Sequence, residues 1–210
     1  MTDDTSRITE THREVGRRRI AAGEARTALL RRRYDAPIED VWEACTDPER
    51  LNRWFLPVTG DLRVGGTFTL AGNASGEILR CEPPRLLTVT WVYGDWPVDE
   101  VELRLVPGEA DDTMLELEHA SVSGPVEWEG QMLDVIPGVG VGWELPLTYA
   151  LTKYLRGELP DAPAAEWYEP GPEDEEFANR IGQAWAALVA AADTASHTET
   201  TSARERPSAS

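Results

Sequence analysis

The hydrophobic period of the chain changes three times. Residues 24–34, EARTALLRRRY, alternate apolar and polar with period two, which predicts a strand. The turn Ala22-Gly23-Glu24 precedes it, so Glu14 to Ile20 reads as the other strand of a hairpin, with a short basic helix as the alternative. After Asp35-Ala36-Pro37 the period becomes helical: Ile38, Val41, Trp42 and Cys45 share one face. Pro37 suits a first helical turn, where a missing N–H costs nothing. Asp47-Pro48 ends that helix and opens a second, PERLNRWF, with Asp47 as its cap. Period two then returns in GDLRV (60–64), TFTLAG, GEILRCEPP, RLLTVTWVY, DEVELRLVP and TMLELEHAS. Gly65-Gly66, Pro83-Pro84 and Pro107-Gly108 separate them, the pattern of an antiparallel meander. The last change is to helix. Val139 to Trp143 leads into ELPLTYALTKYLRGE, with Trp143, Leu147, Ala150, Leu151 and Tyr154 on one stripe, Pro146 in the first turn and Gly157 as the C-cap.

This order predicts an α+β fold in which a curved antiparallel sheet wraps a C-terminal helix. The inner faces follow from the alternation. Phe68 with Leu70, Leu87 with Val89 and Trp91, Val101 with Leu103 and Leu105, and Leu115 with Leu117 and His119 all point one way. The helix carrying Trp143 is their partner. Beyond it lies a Pro-rich linker (159–172) and a further amphipathic helix (173–193) presenting Phe177, Ile181, Trp185, Leu188 and Val189. Left bare, that face would be a liability. It is expected to dock on the domain, over the cavity mouth or on the outer face of the Trp143 helix; a homodimer or a partner protein on the helix around Trp185 is the alternative. Residues 1–7 and 194–210 are polar, lack apolar anchors and are expected to be disordered, which leaves 8–158 as the domain proper.

Composition narrows the partners. With 38 acidic and 20 basic residues in 210, the net charge is −18, which disfavours nucleic acid and anionic membrane surfaces. The triplets Arg17–Arg19 and Arg31–Arg33 are better read as pairing with nearby carboxylates. No apolar run approaches a membrane span, and the N-terminus carries no signal-peptide pattern, so a cytoplasmic protein with reduced thiols is expected. Cys45 and Cys81 are too few for a metal site. Phosphate-loop, dinucleotide, zinc-protease and nucleophile-elbow motifs are absent, so no metal or cofactor is expected.

RRRYDAPIEDVWEACTDPERLNRWF, GDLRVGGTFTL, CEPPRLLTVTW, LELEHA and VGVGWELPL, in that order, resemble the activator-of-Hsp90-ATPase-homologue-like branch of the START-like (SRPBCC) superfamily, in its bacterial form. The resemblance covers about residues 24–157. It implies a helix-grip fold with a cavity between sheet and helix. It does not imply one function, because relatives include ligand carriers, polyketide cyclases, hormone receptors and a co-chaperone domain.

The candidate ligand wall comprises Trp54, Phe55, Phe68, Trp91, Leu103, Leu117, His119, Trp143 and Leu147. Aromatics at a sheet–helix cleft are typical of ligand sites, although each tryptophan taken singly is more often plain core. His119 is the sharpest residue, the one histidine in the predicted core. It could orient a ligand or move a proton, or be satisfied by a neighbouring carboxylate. Glu144 reads as favouring a helix N-terminus. Glu127 and Glu129 flank Trp128 in a loop that could serve as a lid, or simply as a solvated acidic loop. Binding of a hydrophobic small molecule therefore leads. A cyclase- or dehydratase-type enzyme using His119 comes second, and a co-chaperone-like interaction module third.

Overall fold

The computed structural model describes residues 10–128 and 130–204; positions 1–9, where part of the expected disorder falls, lie outside the described residues. Strands β1 (His12–Ile20) and β2 (Gly23–Tyr34) form the opening hairpin. Helices α1 (Ile38–Thr46) and α2 (Pro48–Trp54) follow, and the Asp47 carboxylate accepts the Arg50 N–H at 2.9 Å to cap α2. The meander runs β3 (Val58–Gly60), β4 (Thr67–Leu70), β5 (Ala74–Glu82), β6 (Leu86–Tyr93), β7 (Asp99–Pro107) and β8 (Thr113–Ser121). These strands make one eight-stranded antiparallel sheet in the order β1-β2-β8-β7-β6-β5-β4-β3. A separate ribbon of β9 (Val126–Trp128) and β10 (Gln131–Leu133) precedes the helices.

Two local readings differ from the pattern. The strand expected at 60–64 forms at Val58–Gly60 instead. Gly60 has φ +133° and Arg63 O accepts the Gly66 N–H at 2.8 Å, so the chain is already turning there. In β5 the register shifts between Ile78 and Arg80, a bulge that turns both Ile78 and Cys81 inward despite their odd spacing.

Helix α3 (Val135–Pro146) begins well before Trp143, with the Asp134 carboxylate capping the Ile136 N–H at 2.9 Å. Pro146 therefore lies inside the helix rather than in its first turn. It has no N–H for the preceding turn, and the helix widens to a π turn (Leu147–Leu151) before resuming as α4 (Thr152–Leu155). The Tyr34 hydroxyl donates to Leu147 O at 2.8 Å and ties this turn to β2. Gly157, φ +67°, ends the run.

After α5 (Ala164–Trp167), helix α6 runs from Pro172 to Arg204, past position 193 where the pattern placed its end. No Gly or Pro interrupts the chain between Gly182 and Pro207, so the docked part propagates outward. Positions 205–210 lie outside the described residues.

Helix α3 is covered on two faces. Ile136, Gly140 and Glu144, four residues apart, face α6 and are buried. Val135, Val139, Gly142 and Trp143 face the interior of the sheet. On α6, Phe177, Ile181, Trp185 and Val189 are buried at the same spacing. The Trp185 ring lies directly on Gly140, where a Cβ would stand 2.5 Å from its Cδ2. Its indole N–H donates to Glu144 Oε2 at 2.9 Å, and Arg13 of β1 grips the same carboxylate, its Nε also donating to Oε2 at 2.7 Å. The reading of Glu144 as a helix-start acid is thus corrected: it sits in the third turn, fully buried, and is the polar pin between β1, α3 and α6.

On the outer face of the sheet the arginines pair with carboxylates. Arg18 bridges Glu100 and Glu118, Arg31 reaches Glu116, and Arg33 meets Asp112.

Candidate functional site

The concave face of the sheet and the inner face of α3 border two adjoining spaces. The inner chamber, about 460 Å³, is lined by Trp54, Phe68, Val89, Leu103, Leu117 and Leu147, with Cys45 and Cys81 at its edge. The outer chamber, about 1020 Å³, opens beside β6, β7 and the β9–β10 ribbon and is walled on one side by Ala186, Val189 and Ala190 of α6. Three residues line both: Phe55, Trp91 and Trp143.

These three form an aromatic partition. Trp143 lies 4.8 Å from Trp91 and 6.1 Å from Phe55, centroid to centroid, the latter pair stacked. Phe68 continues the row behind Trp91 at 6.2 Å, and Trp54 continues it behind Phe55 at 5.5 Å. Gly76 makes room for Phe68, since a Cβ there would stand 2.9 Å from the ring and closer still to Thr90 O. Such offset and tilted arrangements are the favoured ones for aromatic pairs.

The polar element of the site is a short relay on the outer side of the partition. His119 is 4% exposed. Its Nδ1 accepts the Trp143 indole N–H at 2.9 Å, and its Nε2 lies 3.1 Å from Asp99 Oδ2. Asp99 Oδ1 in turn accepts the Val122 N–H at 2.9 Å. An indole N–H can only donate, so Nδ1 carries the lone pair and the proton sits on Nε2, donated to the carboxylate. Sheet register builds this relay. His119 stands opposite Val101 and Asp99 stands opposite Trp91, so Asp99 and His119 are diagonal neighbours on the concave face.

Of the nine residues nominated from sequence, eight line the inner chamber and His119 lines the outer one. Asp99 escaped the sequence reading, although it shares the inward phase of Val101 and Leu103. An acid on that phase was the signal. The α6 wall escaped it too, since no local pattern tells a helix which surface it covers. Glu127 is exposed and lines neither chamber, whereas Val126, Met132 and Leu133 of the same ribbon line the outer one; Glu129 lies outside the described residues.

The thiols are not poised as nucleophiles. Burial pushes the Cys45 thiol up to about 12, and burial also raises Cys81. Among the described residues no three His, Cys, Asp or Glu side chains gather as a metal site, and no helix is long and apolar enough to cross a membrane.

A curved antiparallel sheet closed by a long helix over an apolar, two-part cavity defines the helix-grip class. Within it, residues 35–156 match the family model of activator of Hsp90 ATPase homologue 1-like proteins, and the chain belongs to that family. It is similar to CalU16 from Micromonospora echinospora. The crystal structure of that protein is 50% identical over 85% of this chain and 98% of its own, with a TM-score of 0.70. Its solution structure gives 53% identity over 86% and 96%, with a TM-score of 0.72. An HSP90 activator from Plasmodium falciparum shares the fold at 23% identity over 64% of this chain and 97% of that one, TM-score 0.52. No curated protein matches the chain.

Proposed function

We propose that this protein binds a hydrophobic, ring-containing small molecule between sheet and helix, with the rings against Phe55, Trp91 and Trp143. The observation that carries the reading is the two-chamber cavity, whose walls are overwhelmingly apolar and whose partition is aromatic. A filled core would leave no such space; an interaction module would need none. The driving force is burial of apolar ligand surface, about 25 cal/mol per Å². The single buried relay, Asp99–His119–Trp143, supports binding over acid–base chemistry, because both imidazole nitrogens already have protein partners.

The neutral probe N-phenyl-1-naphthylamine tests the reading. Its emission should rise and shift to the blue on saturable one-to-one binding, and it should raise the melting temperature. Val139→Trp, which places a ring in the outer chamber from the helix side, should weaken binding at least about tenfold, the factor for about 1.4 kcal/mol of lost contact. Absence of saturable binding with no thermal stabilisation would sink the proposal.

A further inference from the structure

We infer that the outer chamber selects ring-bearing amines, which enter it as cations, and rejects the matching carboxylic acids. This rests on the small-molecule reading above and adds the charge class of the ligand to it.

The titratable wall of the chamber is one-sided. Asp99, Asp134 and Asp193 line it, and among the described residues no Lys or Arg does. Arg26 pairs with Asp134 and, at 3.6 Å, with Asp193, so one guanidinium serves two carboxylates. Asp99 differs from both. It is 8% exposed, and the two groups that donate to it, Val122 N–H at 2.9 Å and His119 Nε2–H at 3.1 Å, are neutral. The imidazole is neutral because its Nδ1 keeps a lone pair for the Trp143 indole N–H. A carboxylate offers about four acceptor sites, and these two bonds use two of them. Asp99 is thus a negative charge on the chamber wall that is held by hydrogen bonds and not cancelled by a cation. In an apolar cavity such a charge acts more strongly than it would in water.

Aromatic faces stand beside that charge. Asp99 is the cross-strand partner of Trp91, and both line the outer chamber. Cβ atoms of such a pair are about 5 Å apart. The Trp91 ring packs on Trp143 at 4.8 Å, and Phe55 stacks beyond it at 6.1 Å. An aromatic face attracts a cation within about 6 Å of its centroid. A ligand whose rings lie on this partition therefore brings a ring substituent to Trp91 and Asp99 together. An ammonium there meets a carboxylate and the faces of aromatic rings, whereas a carboxylate meets a like charge. The Asp99–His119–Trp143 relay stays as it is in either case, since the interaction is one of charge and needs no hydrogen bond of the relay to break.

Three probes that share one ring system and differ in charge test the inference: 1-naphthylmethylamine, a cation at pH 7, the neutral 1-naphthalenemethanol, and 1-naphthoic acid, an anion. Each is titrated calorimetrically into the full chain at about 0.15 M salt, where distant surface charges are screened over about 8 Å. The expected order is amine, then alcohol, then acid, with about a hundredfold between first and last. Asp99→Asn should reduce that ratio about tenfold. Glu109→Gln removes the same charge from the turn beyond the far end of β7, about 27 Å of strand away, and should leave the ratio unchanged. Should Asp99→Asn fail to fold, as judged by circular dichroism, Asp193→Asn takes its place, with a reduction of about threefold expected.

Equal affinities, or any other order of the three probes, would overturn the inference and leave small-molecule binding standing. So would an unchanged ratio in the aspartate variant used. An equal fall in Glu109→Gln would do the same, because it would assign the selectivity to the net charge of the whole chain. No binding of any of the three would overturn both.

Discussion

At the scale of single residues, position on a strand mattered more than residue type. His119 was read as an inward-phase polar residue and Asp99, which shares that phase, was passed over; only the β6–β7–β8 register makes them diagonal neighbours with Trp91 alongside. Their joint consequence, an imidazole whose tautomer is fixed, belongs to no single residue. Cys45 carries a separate prediction. Its thiol lines the apolar inner chamber, and burial raises it from 9.0 to about 12. The folded state thus favours the neutral thiol. That contribution is fully present below about pH 9, where the unfolded thiol is also protonated, and is lost as pH climbs toward about 12. Urea titrations should show stability falling across that window, with Cys45→Ala flattening the fall. At pH 8, Cys45 should react with a disulfide reagent far more slowly than the same thiol in the unfolded chain. Comparable rates would remove the burial argument.

At the scale of elements, helix α3 is the hinge of the architecture because it has two working faces. The sequence reading saw only the Trp143 stripe and started the helix late, since Gly138, Gly140 and Gly142 weaken the helical signal. Tertiary contact explains those glycines in part: Gly140 is the seat of Trp185. Gly140→Ala should therefore unseat α6 although alanine is the better helix former, lowering stability by about 1–3 kcal/mol as overpacking does. Trp185→Ala should cost about 3–5 kcal/mol by leaving a void and freeing Glu144 of one donor. Chemical denaturation measures both. Gain of stability in Gly140→Ala would mean that α6 does not dock as described. Because Ala186, Val189 and Ala190 wall the outer chamber, both variants should also weaken N-phenyl-1-naphthylamine binding.

At the scale of the whole molecule, a net charge of −18 sets a field that the internal ion pairs only partly offset. Self-repulsion should be screened by salt, so the melting temperature should rise as ionic strength goes from about 0.01 M, where the Debye length is about 30 Å, to about 0.15 M, where it is about 8 Å. A fall would mean that the Arg18 and Arg31 clusters on the outer sheet face outweigh the net field. The sequence alone determined the order of elements, the inward and outward faces of the strands, the cap at Asp47 and the aromatic and leucine walls, because period and turn chemistry are local properties of a chain. Only the tertiary structure decided that the interior is divided into two chambers at Trp143, that Asp99 completes the His119 relay, that a buried Glu144 is paired with Arg13 and Trp185, and that the last helix packs on α3. Each of these depends on residues from 20 to more than 130 positions apart meeting in space, and no local pattern carries that distance.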